Sequence, residues 1–119
     1  YDPDLRAILI RAAELEGQEV TNRATYVCTD GPRFETPAEI RMFTQLGAHV
    51  VGMTGYPEVA LAREAGIRYA SVAVVSNFAA GTTDEVVEES EIWQALETTK
   101  EPVFRILMRA SQLHTSGEC

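Results

Sequence analysis

Short runs of strand-forming residues alternate with helix-length amphipathic segments along the whole chain, and this alternation constrains the fold more than any other feature. A strand, a helix and a second strand in succession pack as a crossover unit, with parallel strands and helices laid on the sheet. The strand candidates are Ala24 to Thr29, Ala48 to Met53 and Ile67 to Val75. The third is apolar almost throughout, as a strand covered on both faces should be. The pattern therefore predicts an α/β fold with a largely parallel sheet.

The intervening segments carry helix signals. Leu5, Ile8, Leu9, Ala12 and Leu15 recur at helical spacing, with Asp2 or Asp4 as the cap and Gly17 as the stop. Asp30-Gly31-Pro32 breaks the first strand. Thr36, Pro37 and Glu39 read as an N-cap, a first-turn proline and a capping-box acid. They open a helix that carries Ile40, Met42, Phe43 and Leu46 and stops at Gly47. Pro57 to Ala65 forms a short helix ended by Gly66. From Asp84 onward, Val86, Val87, Ile92, Leu96, Val103, Ile106 and Leu107 form the apolar set of a last helix. That helix is expected to break or bend near Pro102, with a frayed tail from Thr115.

In parallel sheets, ligands bind at the carboxyl ends of the strands. Three polar or glycine-rich segments fall there: Asp30 to Thr36, Gly52 to Glu58 and Ser76 to Gly81. Each supports two readings. In the first segment Phe34 can stack on a heteroaromatic ring while Glu35 accepts a ring N–H. Equally, the segment is a strand-to-helix turn with Phe34 plugging the core and Glu35 in solvent. In the second, Thr54 lies between glycines before a helix start, where backbone N–H groups and a hydroxyl can meet an anion. Met53 there offers a soft apolar surface to a sugar or base. The alternative is a glycine-rich turn with a buried methionine. In the third, the Asn77 amide can hold a purine carbonyl and N7 together, or close a strand-end Asx turn.

The remaining candidates read as structural. His49 sits beside the second strand, His114 is solvated, and Cys28 acts as a small buried hydrophobe. Asp84, Glu85, Glu88, Glu89 and Glu91 form a solvated helix start, where acids suit the dipole. No metal spacing is present, and no nucleophile has a base nearby in sequence. A chain of 119 residues with 45% hydrophobic residues can build one small domain with a core. A formal net charge of -8 argues against nucleic-acid and membrane-surface partners, because anionic phosphates would repel it. Cys28 and Cys119 make no framework, and there is neither a signal peptide nor an apolar run of membrane length, so the expected compartment is the cytoplasm. The chain opens on Tyr1 rather than Met, from which an upstream segment is expected.

Taken together, Gly31-Pro32-Arg33-Phe34-Glu35-Thr36, Ala38-Glu39, Leu46-Gly47-Ala48, Gly52-Met53-Thr54, Pro57-Glu58 and Ala62 to Ile67 resemble the shared signature of the trimeric purine nucleoside phosphorylases, which include the methylthioadenosine phosphorylases. Arg41-Met42-Phe43, Met53-Thr54-Gly55 and Tyr69-Ala70-Ser71 are more similar to the methylthioadenosine branch. Tyr26-Val27 and the glutamate of Phe34-Glu35-Thr36 are more similar to the inosine and guanosine branch. The resemblance runs from about Tyr1 to about Gly81.

It implies a three-layer α/β/α fold with a mixed, largely parallel sheet, of which residues 1–119 form the C-terminal portion of one domain. The implied reaction is phosphorolysis of purine nucleosides, either methylthio or inosine-guanosine type, to free purine and a pentose 1-phosphate. Phosphate is a co-substrate, no cofactor or metal is needed, and the full-length protein is a homotrimer. By the same resemblance Phe34 stacks on the purine, Glu35 faces its N1 side, Met53 lies against the ribose and Thr54 contacts phosphate. Asn77 holds O6 and N7 and is the catalytic donor. The methylthioadenosine branch usually carries two aspartates where this chain has Asn77 and Ala79. The asparagine N–H suits a 6-oxo group instead. The resemblance also implies an N-terminal half with a glycine-rich phosphate loop and further strands. Without it the chain is expected to expose an unpaired sheet edge and to lack turnover. Two other functions fit the same base pocket, a purine nucleoside hydrolase and a non-catalytic purine-binding fragment.

Overall fold

The computed structural model describes residues 1–84 and 88–117. Helix α1 (Pro3–Leu15) opens where the Asp2 side chain accepts the Leu5 N–H at 2.8 Å. Strand β1 (Tyr26–Cys28) is followed by α2 (Pro37–Gln45), which carries the full capping box between Thr36 and Glu39. Strand β2 (Val50–Gly52) pairs in parallel with β1, with Tyr26 opposite Val50 and Cys28 opposite Gly52. The short α3 (Glu58–Glu64) and the long α4 (Glu89–Ser116) complete the order. The architecture is α/β with a parallel pair, as the alternation predicted.

The core lies between the first and last helices. Ile8, Ala12 and Ala13 of α1 pack on Ile106, Ala110 and Leu113 of α4. At the edge of this seam Glu16 accepts from Arg109 at 2.9 Å. Small residues on α1 let the two helices approach closely, and the larger side chains of α4 fill the contact.

The structure corrects three expectations. Ile67 to Val75 is not a strand: among the described residues the sheet has two strands only. Among the described residues the run's backbone–backbone bonds are Ile67 N–H donating to Ala62 and Tyr69 C=O accepting from Asp2. Val72 and Val74 are half-buried while Ser71, Ala73 and Val75 are exposed, so only one face is covered. Apolar composition specifies what a run prefers to bury, whereas a strand also needs a neighbour for its N–H and C=O groups. The last helix begins at Glu89 rather than Asp84, and Glu85, Val86, Val87 and Cys119 lie outside the described residues. It runs unbroken through Pro102 and packs on α1 only beyond it, through Ile106, Ala110 and Leu113, so of the break or bend expected there the break is absent. Its last described turn is helical too. Thr115 and Ser116 are helical, and Gly117 closes the helix at φ +70°.

The molecule is more open than its size requires. Its surface is 8884 Å², whereas a compact chain of this mass exposes roughly 6,400 Å². Its radius of gyration is 15.7 Å, against roughly 13.5 Å for a compact domain. Much of the excess is apolar: Leu46, Val75 and Phe78 are each at least 70% exposed. Among the described residues no helix is long and apolar enough to cross a membrane.

Candidate functional site

The end of β1 is fixed by a ladder bond continued one residue past the strand, in which Thr29 N–H donates to Gly52 C=O at 2.9 Å. The chain then turns, and the Thr29 hydroxyl donates to Glu35 Oε1 at 2.6 Å. Arg33, between them, does not pair with Glu35. It grips both oxygens of Glu39, each at 2.8 Å, while the Thr36 N–H and hydroxyl also donate to Glu39. The Arg33 guanidinium, seconded by the Thr36 donors, holds the Glu39 carboxyl down to about 2, and Glu39 in turn raises Arg33. The arginine thus locks the entry to α2. Phe34 is left 53% exposed rather than plugging the core, and Glu35 is half-buried.

Past β2, Met53 folds back on the first turn. Gly31 sits at φ +65°, which favours glycine, and a Cβ there would lie 2.6 Å from Met53 Sδ, so the methionine would have to shift. Thr54 N–H points at the Tyr26 hydroxyl at 3.4 Å, and Tyr56 N–H donates to Cys28 Sγ at 3.3 Å. Cys28 is therefore a half-buried acceptor as well as a packing group. Tyr69 donates to Glu58 Oε2 at 2.9 Å; this bond, with some burial, raises the phenol above its ordinary value. His49 plays the structural part expected of it, its Nδ1 accepting from Thr25 N–H at 3.0 Å.

In the third segment Ser76 donates to Asn77 Oδ1 at 2.7 Å, and Asn77 Nδ2 donates to Phe78 C=O at 2.9 Å. The amide thus closes a local turn. An amide has two N–H donors and two acceptor lone pairs, so one of each remains.

Phe34, Glu35, Met53, Thr54 and Asn77 all line a single cavity of about 1010 Å³. The structure brings the five sequence-derived candidates together from three segments. The cavity also takes in Tyr26, Glu58 and Tyr69, which the sequence reading had not singled out as site residues. Tyr26 carried a signal. Parallel pairing places it beside β2, where a Cβ at Gly52 would lie 2.4 Å from its hydroxyl, so a strand-end glycine marks the space an aromatic fills. The contact of Tyr69 with Glu58 carried none, because it joins residues eleven apart across an irregular stretch. Among the described residues that line the cavity there is no lysine, arginine or histidine.

The family model described as "Phosphorylase superfamily" matches residues 1–111. A probable S-methyl-5'-thioinosine phosphorylase of Methanopyrus kandleri is 48% identical over 109 residues, covering 92% of this chain and 43% of that protein. The 6-oxopurine nucleoside phosphorylase of Pyrococcus furiosus is 45% identical over 113 residues, covering 95% of this chain and 43% of that protein. The chain thus spans less than half the length of these relatives. Among solved structures, the methylthioadenosine phosphorylase of Schistosoma mansoni in complex with adenine superposes with a TM-score of 0.90 at 30% identity. That match covers 97% of this chain and 46% of the other.

Proposed function

Because the chain belongs to the phosphorylase superfamily, we propose that the protein of which it forms one portion of a single domain phosphorolyses purine nucleosides. The products are free purine and ribose 1-phosphate, or the 5-methylthio sugar phosphate. The observation that carries the proposal is the convergence of Phe34, Glu35, Met53, Thr54 and Asn77 on one cavity. The five supply an aromatic face, an acceptor, a soft apolar wall, a hydroxyl and an amide. Ligand pockets run to roughly 300–1,000 Å³, so about 1010 Å³ leaves room for nucleoside and phosphate side by side.

In this reading the base lies on Phe34, with Met53 against the ribose and Thr54 at the phosphate. Phosphate attacks C1′ as the C–N bond breaks, and negative charge builds on the leaving purine. The remaining N–H of Asn77 donates to that purine, and the bond strengthens as the charge develops, which lowers the barrier. The donor and acceptor pattern favours a 6-oxopurine. Asn77 can donate to O6 while the second oxygen of Glu35 accepts N1–H. An adenine would present an acceptor to Glu35 and a donor to Asn77. The names of the Methanopyrus and Pyrococcus relatives are in line with this preference. The proposal extends to a homotrimer for the full-length protein.

The lack of a basic side chain among the described lining residues bears on phosphate. A dianion held by one hydroxyl and backbone N–H groups is held loosely, so productive phosphate binding calls for cations from elsewhere in the protein. The test supplies the part of the Methanopyrus kandleri relative that this chain does not match as a separate polypeptide. Inosine, methylthioinosine and methylthioadenosine are then assayed with and without phosphate. Phosphate-dependent release of purine with a pentose 1-phosphate is the expected result. Free pentose would establish a hydrolase instead, and purine binding without turnover a non-catalytic module.

A further inference from the structure

We infer that Thr29 is a positioning residue that sets base specificity by presenting Glu35 to the purine as a one-oxygen acceptor. The inference rests on the purine reading of the cavity and deepens it. Thr29 lies immediately after β1, and its N–H is tied to Gly52 C=O at 2.9 Å, so its hydroxyl projects from the end of the paired strands. That hydroxyl donates to Glu35 Oε1 at 2.6 Å across the turn. The one guanidinium in the same turn, Arg33, is engaged by both oxygens of Glu39 and leaves Glu35 without an ion pair among the described residues. Glu35 lines the cavity with Oε1 taken. Oε2 is the oxygen left to meet a ligand.

The arrangement has a chemical consequence. A hydroxyl that donates to one carboxylate oxygen fixes the rotamer and leaves the other oxygen as an acceptor. Such a group suits the N1–H of a 6-oxopurine and opposes the N1 lone pair of a 6-aminopurine. Asn77, held by Ser76 and Phe78, still keeps one N–H and one acceptor lone pair and can meet either base, whereas an anchored carboxylate offers an acceptor alone. Thr29 therefore contributes to the choice of base without touching it.

The test titrates the 119-residue chain with hypoxanthine and with adenine by NMR, which reaches millimolar affinities, for the wild type, Thr29→Val and Thr29→Ser. Wild type is expected to prefer hypoxanthine. Thr29→Val keeps the side-chain shape but removes the donor. It should weaken hypoxanthine by about tenfold, the scale of one hydrogen bond to a charged group, and leave adenine nearly unchanged. Thr29→Ser should restore the preference. Thermal unfolding of each variant separates this outcome from a folding defect. Equal weakening of both bases, or no rescue by serine, would overturn the positioning role while leaving the purine reading intact. Failure of the wild type to bind either base would overturn both.

Discussion

At the scale of single residues, the pocket candidates were legible because their chemistry was unusual for their place. An asparagine ends an apolar run, and a phenylalanine and a glutamate sit together in a tight turn. What the residues alone could not decide was whether each served a ligand or the local backbone. For Asn77 the structure answers with half the amide committed to Ser76 and Phe78, so a turn and a base contact are compatible. Asn77→Asp should raise adenine affinity relative to hypoxanthine, because a carboxyl group that shares a proton suits an exocyclic amine. Titration of the variant with both bases checks this, and an unchanged ratio would remove Asn77 as the base reader. Thr54→Ala should raise the phosphate KM more than the nucleoside KM in the two-polypeptide assay, since a hydrogen bond to an anion contributes roughly 1.5–3 kcal/mol. Equal effects on both would return Thr54 to the turn.

At the scale of elements, local signals located helix starts more accurately than strands. The Thr36-Pro37-x-Glu39 pattern specified α2 to the residue, because capping is satisfied by neighbours in sequence. The run Ile67 to Val75 was misread for the opposite reason: the partner that makes a strand is remote and leaves no mark on the run itself. Helix α4 also runs on through Pro102, and the residues that pack on α1 all lie beyond the proline. The α2 entry yields two predictions. Thr36→Ala should cost about 1 kcal/mol in urea unfolding. The second concerns acid. Glu39 lies below its ordinary 4.5, at about 2, so its ion pair stabilises fully above pH 4.5 and is lost as the pH falls through about 2. Glu39→Gln should flatten that part of the stability curve, followed by circular dichroism at graded pH. An unchanged slope would assign the acid sensitivity to other carboxylates.

At the scale of the whole molecule, stability and site are held in different places. The six-residue core joins α1 to α4, while the cavity lies around the strand ends. Ile106→Ala should cost about 2–5 kcal/mol, a large fraction of what so small a core can provide, whereas Val75→Ala at an exposed position should cost little. Thermal melts of the two distinguish them. The excess surface and the unpaired run Ile67 to Val75 agree with a chain that covers under half of each relative's length. Phosphate aligned at C1′ supplies up to roughly 7–11 kcal/mol in well-oriented reactions. A cavity whose described lining includes no cation forgoes much of that, so the 119-residue chain by itself should show no turnover. The central claim is narrower than activity: that these strand-end segments form a purine site. Its most direct measurement is a hypoxanthine titration followed through the backbone amide resonances of the isotopically labelled chain. The account predicts shifts concentrated at Phe34, Glu35, Met53, Thr54 and Asn77, with α1 and the C-terminal half of α4 unmoved. Shifts confined to the helices, or none at saturating hypoxanthine, would contradict it.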